Sequence, residues 1–163
     1  MRTRSLLRAV ETAAFNAGLV VLAALVRRAP LRRPTQCLVG WLGTAAARVH
    51  GVRRQTTSAG IGRAWQSAFG SPALVPITRI DGDTVWAEVR VHCPLRGSGD
   101  TAACYRLMAF DRAIAERAGA SFVVVRSQAE PGVSVCEVAL RPAQLPITDI
   151  IPAHVRCAGS AVT

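Results

Sequence analysis

The sequence predicts an α+β fold, with N-terminal helices followed by a β-β-α-β-β unit in which an antiparallel sheet is covered by a helix. Three observations predict it. Two pairs of extended, Val-rich runs each flank a turn signal, Asp81-Gly82-Asp83 in one and Glu130-Pro131-Gly132 in the other. Between the pairs lies an amphipathic run with Asp100 as its cap and Gly119 as its stop. Ahead of both lie Ala-rich apolar runs with helical spacing.

The first element is apolar from Thr12 to Val26. A spanning helix needs roughly 20 apolar residues, and Glu11 and Asn16 interrupt this one. Arg2, Arg4 and Arg8 precede it, and Arg27, Arg28, Arg32 and Arg33 follow it, so charge sets no orientation. Three readings stay open: a helix lying on a membrane surface, a helix packed on the domain or on a partner enzyme, and a signal sequence. Pro30 and Pro34 are expected to end the element.

A second helix is expected over residues 35–49, with Leu38, Trp41, Leu42 and Ala45 on one face. A loop follows, then a short helix that stacks Ile61, Trp65 and Phe69 into the core. In the strand run of residues 84–93, period two puts Val85, Ala87, Val89, Val91 and Cys93 on the apolar face. His92 then points away from Cys93. The capped helix is expected to run unbroken over residues 101–118, with Cys104, Leu107, Met108, Asp111 and Ala115 in one stripe. In the last strand Cys136 shares a face with Val138 and Leu140. Residues 142–163 hold Pro142, Pro146 and Pro152 and are expected to form an irregular surface arm. The expected organisation is thus a basic apolar helix in residues 1–34, the α+β domain in 35–141 and the arm in 142–163.

Charge divides unevenly along the 163 residues. All 20 basic residues are Arg, which reads as a coding bias. Residues 1–80 hold twelve Arg against the single acid Glu11, and residues 81–163 hold eight Arg against nine acids. The basic half lacks interleaved aromatic groups and any nucleic-acid motif, which argues against nucleic acid. An apolar run between Arg clusters suits a membrane surface better. Cys37, Cys93, Cys104, Cys136 and Cys157 form no regular framework, so reduced thiols and a cytoplasmic location, with membrane association through residues 1–34, are expected.

The periodicities aim Cys93, Cys104, Asp111 and Cys136 at one helix–sheet interface. Free cysteines are commonly plain core residues. A carboxylate on an apolar face is not, and it must be hydrogen-bonded, ion-paired or protonated. Arg90, Arg96 and Arg126 are its candidate partners. Zinc ligation by the three thiols with His92 or Asp111, or an iron–sulfur cluster completed by Cys37 or Cys157, is also open, but no CxxC pair supports either. Cofactor and metal content are therefore unassigned. Cys104, near a helix N-terminus, suits a lowered thiol pKa, although the Asp100 charge opposes it. The Gly97-Ser98-Gly99 loop is a weak signal for backbone donors toward an anion.

The segment from Trp65 to Leu140, through Cys93-Pro94, Cys104, Asp111, Gly132 and Cys136, resembles the L-2-amino-thiazoline-4-carboxylate hydrolase-like family. It is more distantly similar to 4-vinyl-reductase-type small-molecule-binding domains. The resemblance implies a pocket for a small sulfur- or nitrogen-containing molecule or a modified peptide, with ring-opening hydrolysis. It implies catalytic roles for Cys93, Cys104 and Asp111 and substrate contacts from Cys136 and Arg96. Natural-product metabolism is the implied setting. The alternative is a non-catalytic metabolite sensor or a membrane-associated accessory protein of a biosynthetic enzyme.

Overall fold

The computed structural model describes residues 17–159 and has the α+β architecture. Helix α1 is described over 17–27, so the part of the apolar run before residue 17 lies outside the described residues. Then come α2 (Arg32–Val49), α3 (Ser58–Gln66), β1 (Ile77–Asp81), β2 (Thr84–Val89), α4 (Thr101–Leu107), α5 (Ala109–Ala118), β3 (Ala120–Arg126), β4 (Cys136–Pro142) and α6 (Ala153–Gly159). The four strands form one sheet in the order β1-β2-β4-β3, antiparallel throughout.

The first turn is tight: Gly82, at φ 54°, and Asp83 join β1 to β2. Only glycine enters that left-handed region cheaply. The second connection differs from the expected short hairpin. Residues 127–135 form a long loop between β3 and β4, and the buried Gln128 sits in it. The helices pack on the face of the sheet that carries Val85, Ala87, Val89, Cys136, Val138 and Leu140. Trp65 is fully buried there, edge-on to Phe69 and tilted against Phe122. Gly62 lets α3 lie close on the sheet, because a Cβ there would sit 2.9 Å from Val85 and Ile77 side-chain atoms.

Five expectations change. Proline does not delay α2, which begins at Arg32 with Pro34 in its first turn, where a missing N–H leaves no helical bond unmade. The face of α2 that packs inward is Thr35, Val39, Gly43 and Ala47, not the bulky one. Helix α5 approaches so closely that a Cβ on Gly43 would collide with the Phe110 carbonyl, so only small residues fit the contact. Leu38 and Trp41 consequently face outward, with Trp41 64% exposed. The capped helix is interrupted at Met108, which places Asp111 in the first turn of α5. Strand β2 stops at Val89, so residues 90–93 leave the ladder.

The fifth change is the arm. It ends in α6, which packs on α4 through Tyr105 and His154, with ring centroids 4.0 Å apart. Ile147 and Ile150 of the arm cover Val123, Ala139 and Trp86 on the opposite face of the sheet. Arg141 fastens the turn of the arm with two bonds to Asp149, at 2.6 and 2.9 Å. Helix α1 packs on the domain, one of the three readings open for it, with Ala23 and Val26 in the main core. No helix of the described residues is long and apolar enough to cross a membrane.

Candidate functional site

Four of the five sequence-derived site residues meet in one cavity of about 530 Å³. Cys93, Cys104, Asp111 and Cys136 line it together with His92 and Gln128. The rest of the lining is mostly apolar, including Leu19 and Leu22 of α1, Val39 of α2, and Leu107, Met108 and Phe110 beside the α4–α5 break. The polar groups are brought there by different elements. Cys136 opens β4, Cys104 sits in α4 and Asp111 in α5, so the sheet and the interrupted helix close on each other around them.

Gln128 holds this end together, and sequence reasoning missed it. Its side chain is fully buried. Its amide donates to the carbonyls of Val89 at 3.2 Å and Val91 at 2.9 Å. Its oxygen accepts from the Cys93 N–H at 3.2 Å and from Arg96 at 2.9 and 3.2 Å. Its backbone N–H points at Cys136 Sγ, 3.3 Å away. The segment after β2 thus loses its ladder partners and gains those of one glutamine, which satisfies polar groups that burial would otherwise penalise. Cys93 reaches the cavity by this route rather than by strand period. The only available signal was a Gln inside a turn-rich stretch, which is too common to single out.

Arg96 does not line the cavity. Its guanidinium bridges Gln128 to the Ser134 carbonyl at 2.7 Å, a structural clamp rather than a substrate contact. The Gly97-Ser98-Gly99 amides are also spent. Gly97 donates to the Gln128 carbonyl, Gly99 to that of Ala129, each at 2.8 Å, and Ser98 to that of Leu95 at 3.1 Å. They leave no backbone donors for an anion. His92 is exposed, and because the strand has ended it lines the same cavity as Cys93 instead of turning away from it. Among the described residues, no group of three or more His, Cys, Asp or Glu side chains is placed to hold a metal ion. The zinc and iron–sulfur readings lose their geometric basis there.

The thiols are inequivalent. Cys104 and Cys136 share a hydrogen bond that pushes the Cys104 pKa up, and burial adds to the effect. The same bond lowers Cys136, with help from the Gln128 N–H and against its own burial. The two buried thiols are thus pushed in opposite directions, and Cys104 is raised where the helix N-terminus would have lowered it. Burial raises Cys93, although the Leu95 N–H, 3.4 Å from its sulfur, pulls the other way. All five cysteines are free.

Asp111 is 7% exposed, and its Oδ1 has no hydrogen-bond partner. The expected arginine partners are engaged elsewhere: Arg90 with Glu88, Arg126 with Glu137 and Arg96 with Gln128. Burial pushes the Asp111 pKa up to about 7. Its own backbone N–H and the Arg112 charge oppose this but do not overcome it. An ionised Asp111 in turn pushes Cys136 up, so the two groups titrate in each other's field. A carboxyl held at the edge of ionisation can give or take a proton near neutral pH. No family model matches the chain, and neither a curated protein nor a solved structure shows significant similarity to it.

Proposed function

We propose that the chain is a hydrolase-like enzyme that opens a C–N or C–S bond in a small molecule or modified peptide of natural-product metabolism. The observation that carries this reading is the unpartnered Oδ1 of the buried Asp111 carboxyl in a cavity shared with three thiols. Perturbed titratable groups in a concave, mostly apolar pocket are the usual mark of chemistry. The Cys136 thiolate adds to the electrophilic carbon of a thiazoline-type C=N bond, and the nitrogen takes the Asp111 proton. The ring sulfur then leaves as a thiolate, and the substrate carbon stays on Cys136. A water adds to that carbon and gives one proton to Asp111, the Cys136 sulfur departs as the thiolate, and the hydroxyl proton of the new carbonyl passes to the freed ring sulfur, so Asp111 and Cys136 return to their starting states and the substrate gains one water. Cys93, half-buried at the same wall, holds the substrate.

The test is turnover of 2-aminothiazoline-4-carboxylate and its carboxamide, read as a gain of one water by mass spectrometry. The expected result is hydrolysis that disappears in Asp111→Asn and Cys136→Ala while both variants keep their far-UV circular dichroism. Full activity in either folded variant overturns the assignment.

A second reading has its own support. Val20, Val21, Leu38 and Trp41 are exposed on α1 and α2, beside Arg27, Arg28, Arg32 and Arg33. Such a face suits a cytoplasmic protein that rests on an anionic membrane or on a partner enzyme, with the cavity serving as a metabolite sensor. Flotation with phosphatidylserine vesicles tests the membrane contact. The full chain is expected to float and a Leu38→Glu/Trp41→Glu variant to stay behind. If the full chain does not float, this reading is wrong.

A further inference from the structure

The cavity carries a statement about ligand charge. Among the described residues, no Arg lines it. The one Arg close in sequence, Arg96, is occupied by Gln128 and Ser134, and the nearby Gly97 and Gly99 amides are bonded to backbone carbonyls. The Gln128 amide is used on both of its atoms. What remains at the buried end is the free Oδ1 of Asp111 and the Cys104–Cys136 pair. A carboxylate placed there meets a carboxyl and a thiolate-prone sulfur; His92, the imidazole on the lining, is exposed, and Arg112, whose charge reaches Asp111, lies on the Tyr105 ring outside the lining, so the buried charge stays unpaired and costly. An N–H or O–H group instead completes the vacant Oδ1. Around this end the walls are Leu, Val, Met and Phe, and the exposed rim carries Leu42 and Leu74.

We infer that the cavity selects an uncharged, largely apolar molecule whose N–H or O–H head bonds Asp111 Oδ1, and that it rejects free carboxylates. The inference rests on the proposed function only in taking this head group to be the end that reacts. The substrate class becomes a thiazoline whose carboxyl is masked as an amide or ester, as it is inside a peptide, with an apolar body toward α1 and α2. This departs from the free acid that the family resemblance implies.

The test is competition against the uncharged dye Nile red on the full chain, at about pH 8, where carboxylic acids are ionised. Octanamide and octanoate form one pair, and 2-aminothiazoline-4-carboxamide and its carboxylate form another. Each amide is expected to displace the dye at a concentration roughly tenfold or more below that of its acid. Asp111→Asn is expected to narrow that ratio, and Leu22→Trp, which fills the apolar side, to weaken dye and amide alike. A thermal melt confirms that both variants are folded. Equal or tighter binding of the acids overturns the inference, and so does failure of every amide to displace bound dye. Turnover is not the readout. Selective amide binding without hydrolysis sinks the enzyme reading and leaves this one standing, whereas hydrolysis with acids favoured does the reverse.

Discussion

The buried end of the cavity and its rim are built by different means. At the buried end, Cys104, Cys136, Asp111 and Gln128 are carried by strand, helix and a loop pinned through backbone hydrogen bonds. At the rim, Gly18, Leu42, Gly70 and Leu74 are exposed and come from α1, α2 and the segment after α3. There α1 is tied down by Arg106 donating to the Val26 carbonyl at 2.9 Å and by the Arg27–Asp100 pair at 3.5 Å. A network of buried bonds fixes geometry to fractions of an ångström, whereas α1, anchored in the core by Ala23 and Val26 but exposed at Gly18, Val20 and Val21, has its looser hold at the rim end. The difference teaches where chemistry and where admission reside. Reactive groups need the rigid end, and a ligand needs the adjustable one.

Breaking the buried end is expected to have the larger consequences. Asp111→Asn should lower turnover by about 10²–10⁴-fold, the range for losing a general acid–base group, measured as initial rates at saturating substrate. Gln128→Ala should cost roughly 3 kcal/mol by urea unfolding, because several buried backbone groups lose partners at once. It should also raise the alkylation rate of Cys93. At the α2–α5 contact beside the rim, Gly43→Ala forces two backbones apart and should cost roughly 1–3 kcal/mol. Arg27→Ala should change stability by less than about 1 kcal/mol, since its ion pair is largely exposed. It should nevertheless speed release of bound Nile red if α1 controls the rim. Unchanged release would place the entrance elsewhere.

Much of the buried end was legible in the sequence, since helical and strand spacing put Cys104, Asp111 and Cys136 on inward faces, and the structure buries all three. Spacing works there because each residue lies inside a regular element. It failed where regularity stops. The β2 ladder ends before Cys93, and the side chain that replaces it, Gln128, lies 35 residues away in sequence. The helix break at Met108 has no proline or glycine to announce it. The inward face of α2 was misjudged because closeness to α5, set by Gly43, outweighed the bulk of Leu38 and Trp41. Hydrophobicity reports what a face could bury, and backbone approach decides what it does bury. Charge was the least legible. Asp111 looked set for an arginine, yet its candidate arginines each found another partner.

The central claim is that Asp111 is a carboxyl poised near neutrality inside an otherwise apolar, thiol-lined cavity. Its pKa in the fold, about 7, lies above that of the unfolded chain, so the folded state holds its proton longer. The contribution is therefore fully present below the unfolded value and is lost as pH rises from about 4 through about 7. Arg112 on α5 and Cys136 on β4 are the groups that modulate it. The direct measurement is unfolding free energy against pH for the native chain and for Asp111→Asn, from about pH 4 to about pH 8. The account predicts that the native chain loses up to about 4 kcal/mol relative to the variant across that range. Parallel curves, or a variant that loses ground as pH rises, would contradict it.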